Sequence, residues 1–132
     1  MKNAMLVTVK YALFVAGSVV ALAASAQEKT LHDGVFTEAQ AKAGEAVYEQ
    51  RCVTCHDMQY YSNVLSSWQS QPLLYLWEAI MGQMPADNPG SMMFSEYTEV
   101  LAYILDGNGF PAGDTPLDPD QGMDQIKIVA PD

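Results

Sequence analysis

Five consecutive residues, Cys52-Val53-Thr54-Cys55-His56, hold most of the reactive chemistry in this chain. Two thiols three positions apart lie on one side of a single helical turn, so each can add to one of the two vinyl groups along a porphyrin edge. His56 is then carried beneath the iron, and a neutral imidazole is a good iron ligand whose orientation is set by a partner on its other ring nitrogen. The spacing is that of a covalent attachment site for one c-type haem, bound through Cys52 and Cys55 with His56 as an axial ligand.

Competing readings of the same residues are weaker. A dithiol redox centre expects a strand-helix-strand neighbourhood, and no strand-like apolar run precedes Cys52. A four-ligand zinc site needs further Cys or His, and only His32 remains elsewhere. A structural disulfide between Cys52 and Cys55 leaves His56 without a reason. A bound haem makes electron transfer the leading function, with no catalytic residue expected. A haem enzyme or sensor would need an open iron position instead.

The second axial ligand is sought among eight methionines. Met is a common filler of cores, so each is weighed against packing. Met84 precedes Pro85 in a turn-rich segment, Gln83 to Ser91, that also holds Asn88-Pro89-Gly90. Proline fixes φ and lacks a donor N–H, which stiffens the backbone beside the thioether. Met84 is the candidate; a thioether is a weak neutral donor, and His/Met ligation raises the reduction potential. Met92, Met93 and Met81 remain rivals.

Helices must position these groups. Thr37 followed by Gln40 is a capping-box signature opening a helix over Glu38 to Arg51 that runs into the thiols. Gly44 inside it costs helix stability relative to Ala, so it marks a close approach by another helix, with Tyr48 one turn later. Asp57 to Gln71 reads as a long loop with at most a short helical turn, wrapping a haem face with Tyr60, Tyr61 and Trp68, each weighed against ordinary packing. Pro72 starts a helix whose Leu73, Leu76, Trp77 and Ile80 follow a buried stripe, and Gly82 ends it. A last helix within Ser91 to Asp106 presents Tyr97, Val100, Leu101 and Ile104, and stops at Gly107-Asn108-Gly109. Its apolar face is expected to cross the first helix at Gly44 and Tyr48. Ile126, Ile128 and Val129 could form a short extended segment against the body. The class is all-α, three to four helices around one covalently bound haem.

The first residues predict a compartment. Lys2 and Lys10 precede an apolar run from Tyr11 to Ala24, and Ala24-Ser25-Ala26 has the small-x-small form of a cleavage site. The expected division is a signal peptide over 1–26 cut after Ala26, a flexible leader over 27–36, a haem domain over 37–113 and a C-terminal extension over 114–132 packed on it. The run is shorter than the ~20 apolar residues of a spanning helix, so membrane contact is expected only if the leader stays uncleaved. Without its first 26 residues the chain keeps four basic side chains against sixteen acidic ones, a formal charge of −12. Such a surface repels nucleic acid and anionic lipid. It suits weak, salt-sensitive encounters with basic patches on redox partners.

In order along the chain, Gly44, Tyr48, Cys52 to His56, Met84-Pro85-Ala86-Asp87 with Pro89-Gly90, and Val100-Leu101-Ala102-Tyr103-Ile104-Leu105 resemble class I cytochromes c over most of the mature length. The Met84 to Asp87 stretch and the run Tyr103 to Gly113 are more specifically similar to the small cytochrome c modules associated with quinoprotein alcohol dehydrogenases. One departure is Met92-Met93-Phe94, where such modules carry a leucine followed by polar capping residues. The resemblance implies a single haem with His56 and Met84 as ligands. It also implies delivery of electrons in the periplasm from a dehydrogenase toward an oxidase or another cytochrome.

Overall fold

The computed structural model describes residues 27–132; the expected export signal lies outside them. Strand β1 (Lys29–Thr30) leads through a 3-10 turn (Leu31–Asp33) into α1 (Glu38–Arg51), followed by α2 (Met58–Ser67), α3 (Leu73–Gln83) and α4 (Phe94–Gly107). A second 3-10 turn (Met123–Gln125) and strand β2 (Ile126–Lys127) close the chain. The fold is all-α, the cytochrome c fold, with one short parallel strand pair as its only sheet among the described residues.

Helix α1 begins where the capping box requires: the Gln40 N–H donates to Thr37 Oγ1 at 3.3 Å and the Thr37 N–H to Gln40 Oε1 at 3.2 Å. Its dominant partner is α4. Gly44 is buried at their crossing, and a Cβ there would overlap the backbone carbonyl of Glu99. The α-helical core comes from α4, where Tyr97, Leu101 and Leu105 are fully buried and Val100 and Ile104 nearly so. Helix α3 adds Leu73, Leu76 and Trp77. It runs one residue past Gly82, with Met84 as its C-cap.

Two segments differ from what the sequence leads one to expect. Residues 58–67, expected as loop, form α2: Asp57 caps it by accepting from the Tyr60 N–H at 2.8 Å, and Tyr61 and Leu65 are buried. Residues 27–36, expected as a flexible leader, are held in place. Leu31, Val35 and Phe36 are buried, and the Asp33 carboxylate accepts from the Thr30 N–H at 2.7 Å. The physical reason lies 97 residues on, since β1 pairs in parallel with β2 in the C-terminal segment. Phe36 also accepts a 2.7 Å hydrogen bond from the Gly113 N–H, where the backbones pass too closely for a Cβ on Gly113.

Helix α4 begins at Phe94, its first turn secured by the Glu96 carboxylate accepting from the Met93 N–H at 2.8 Å. The chain beyond Gly113 buries Leu117, Met123, Ile126 and Ile128. The Gln40 amide fastens it to α1, donating to the Leu117 carbonyl and accepting from its N–H, each at 2.8 Å. Ile128 bridges the α2–α3 connection, donating to the Gln71 carbonyl and accepting from the Ser70 N–H.

Candidate functional site

The residues of the attachment motif leave α1 directly. Cys52 is the C-cap, and the N–H groups of Cys55 and His56 both donate to the Cys52 carbonyl, at 3.1 and 2.9 Å. This compact turn brings both thiols and the imidazole into one region. Both cysteines are free thiols. The Tyr48 hydroxyl, one turn back on α1, donates to the His56 carbonyl at 2.6 Å. The His56 ring stacks on Tyr60 at 4.3 Å and meets Tyr61 edge-on at 5.7 Å, so α2 supplies the aromatic wall beside it.

Met84 stands at the end of α3, where its N–H still donates to the Ile80 carbonyl at 2.8 Å. Its own carbonyl accepts from the Tyr97 hydroxyl at 2.7 Å. The Gly90 N–H reaches the same oxygen at 3.3 Å, which closes the loop between α3 and α4 upon itself. Pro85 is buried behind Met84. Trp77 packs edge-on to both Tyr97 and Phe94 and donates its indole N–H to the buried Thr98 hydroxyl at 3.1 Å.

One apolar cleft is lined by Cys52, Cys55 and His56 together with Met84, Pro85 and Met92, with Tyr61, Ile80 and Val100 among the residues between. A second cleft shares His56, Tyr61, Ile80 and Met84 with it and adds Tyr60, Val64 and Trp68. The donor set suits an iron porphyrin: two thiols for its edge, a nitrogen and a thioether for its metal, and apolar walls for its faces. Among the described residues no group of three His, Cys, Asp or Glu side chains could hold a bare metal ion.

Electrostatics in the cleft follow from burial. Loss of solvent pushes the Cys52 thiol up, with the Arg51 charge pulling it partly back. Burial raises Tyr61 and Tyr48 as well, so both phenols stay neutral at any physiological pH and Tyr48 keeps the proton it donates.

All four residues singled out from the sequence, Cys52, Cys55, His56 and Met84, line the same cleft. Of the rival thioethers, Met92 is buried there, whereas Met93 is 66% exposed and lines neither cleft. Met81 is likewise absent from both. His32 lies outside both clefts against Phe110. Sequence reasoning missed α2 although its signal was present, since Asp57 is a capping residue and Tyr61, Val64, Leu65 and Trp68 follow helical spacing. It also missed the phenol–carbonyl bonds of Tyr48 and Tyr97, for which no local pattern exists.

Fold and site define a c-type cytochrome domain. Consistent with this, the profile of the family described as "Cytochrome C oxidase, cbb3-type, subunit III" matches residues 39–104, half of the chain. The chain belongs to that family, and its role is haem-based electron transfer. No curated protein and no solved structure matches it.

Proposed function

We propose that this chain is an exported single-haem electron carrier that takes electrons from a dehydrogenase, of the quinoprotein type, and passes them toward a respiratory oxidase or another cytochrome in the periplasm. The observation that supports it most is the single apolar cleft lined at once by Cys52, Cys55, His56 and Met84. Bound haem supplies a one-electron couple. Cys52 and Cys55 would hold it through two thioether bonds, each formed by adding S–H across a vinyl group. His56 and Met84 would hold its iron, and a one-electron role of this kind needs no bond to a substrate made or broken. Ile80, Pro85 and Val100 line the cleft with apolar surface that would keep water from a bound iron, which favours the lower charge and, with thioether ligation, a raised potential. Partners are recognised through the strongly acidic surface, which favours basic docking faces and repels nucleic acid.

Spectra of the secreted protein and of Met84→Ala test this reading. The wild type is expected to show a low-spin ferrous spectrum and, when oxidised, an iron–thioether charge-transfer band. The variant is expected to lose that band and to fall in potential. A band that survives Met84→Ala would move the ligand to Met92.

A second reading has its own support. The matching family is described as an oxidase subunit, which favours a haem subunit held permanently in a larger oxidase or dehydrogenase complex. Co-purification from membranes and soluble fractions separates a bound subunit from a free shuttle.

A further inference from the structure

Tyr97 is wholly buried, yet it carries a hydroxyl. A phenylalanine would fill the same space without the cost of dehydrating a polar group, which is large when no partner is found. The hydroxyl has one partner, the carbonyl of Met84, at 2.7 Å. That carbonyl sits at a helix C-cap, beyond the intrahelical ladder, and its one other donor is the Gly90 N–H at 3.3 Å from within the same loop. Pro85, next in the chain, has no N–H at all. Donor and acceptor therefore complete each other, and no buried side-chain nitrogen or oxygen among the described residues is left without a partner. The residue so fastened is the one whose thioether faces the cleft from the α3–α4 loop. The ring is itself immobilised, with Trp77 edge-on at 6.5 Å and Trp77 tied to Thr98 on the same helix as Tyr97.

We propose that Tyr97 is the positioning residue for the iron's thioether ligand: its O–H anchors the Met84 carbonyl to α4 and so sets where the Met84 sulfur stands in the cleft. The inference rests on Met84 as the ligand and adds the element that holds it. Removing the hydroxyl frees the loop's only long-range hydrogen bond at Met84. The sulfur then samples positions off the iron, and an added ligand competes more easily.

The test is an imidazole titration of the oxidised, haem-loaded protein, following loss of the iron–thioether charge-transfer band. Tyr97→Phe is expected to bind imidazole about fivefold more tightly than the wild type, the size that loss of one neutral hydrogen bond gives. Ile128→Val serves as the control, because it removes a buried methylene in the C-terminal segment at a comparable cost in stability. It is expected to leave imidazole affinity unchanged. Equal affinity in Tyr97→Phe and wild type, or an equal rise in Ile128→Val, overturns the proposal. Should Tyr97→Phe fail to accumulate, the wild type alone decides: a Tyr97 hydroxyl proton in slow exchange and close to Met84 supports the anchor, and rapid exchange with solvent overturns it. Failure of the ligand reading looks different, since the band is then absent from the wild type or retained in Met84→Ala.

Discussion

The two sides of the haem cleft are built by opposite means. On the His56 side the backbone that places the imidazole falls within nine residues, from the Tyr48 hydroxyl to the His56 carbonyl, on the end of one helix and the turn that follows, with α2 next in the chain adding Tyr60 and Tyr61. On the Met84 side the ligand loop is held by α3 behind it, by Gly90 within it and by Tyr97 from α4. A site made by local chain geometry forms as soon as its helix does. A site made by long-range contacts exists only when the helices have packed, so the Met84 side is the one expected to yield first under stress. The loss of a weak thioether bond before a nitrogen bond would follow from the scaffold as well as from the ligand.

Three variants break or sharpen this contrast. The largest effect is expected from replacing Cys52 and Cys55 together by Ala, which removes both attachment points while leaving Tyr48 and the turn in place. Intact-mass analysis of the secreted chain should then find no covalently added haem. A haem-sized mass increment in that variant would show that the motif is not the attachment site.

Next comes Gly44→Ala. The new methyl collides with the Glu99 carbonyl, a rigid backbone group, so α1 and α4 must part. A stability loss of about 3 kcal/mol, at the upper end for overpacking, is expected in denaturant unfolding. Because α4 carries Tyr97, the iron–thioether band should disappear at lower denaturant than the haem's low-spin imidazole signature does. Simultaneous loss of both would erase the distinction between the two sides.

The smallest effect belongs to Tyr48→Phe. It deletes the hydroxyl that donates to His56, at a cost of about 1 kcal/mol in overall stability. The axial spectrum should be unchanged, because the Cys52-centred turn and the covalent links still fix the imidazole. A loss of histidine ligation in this variant would mean that Tyr48 does for His56 what Tyr97 does for Met84.

Much of this arrangement was legible from residue types alone. The capping box at Thr37 and Gln40, the close approach at Gly44, the buried stripe of α3 and the stop at Gly107 to Gly109 each depend on a few neighbours, and each stands where local rules put it. Helix α2 was legible too, but its polar composition outweighed a helical spacing that was there to be read. The segment around Leu31 was not. Its order depends on β2, close to a hundred residues later, and two-residue strands carry no periodic signature of their own.

What the sequence determined by itself is the chemistry: which side chains can bond a porphyrin and its iron, and that an all-α scaffold carries them. Spacing within one turn is a property of the backbone, so Cys52, Cys55 and His56 needed no tertiary information to be grouped. What only the folded molecule decided is which of several thioethers shares their cleft and what holds it there. Met93 is turned outward, while Met84 and Met92 face in, and Tyr97 closes on the Met84 carbonyl. The physical reason is that those placements follow from how α3 and α4 pack across an intervening loop, and such packing sums many weak contacts between residues distant in the chain.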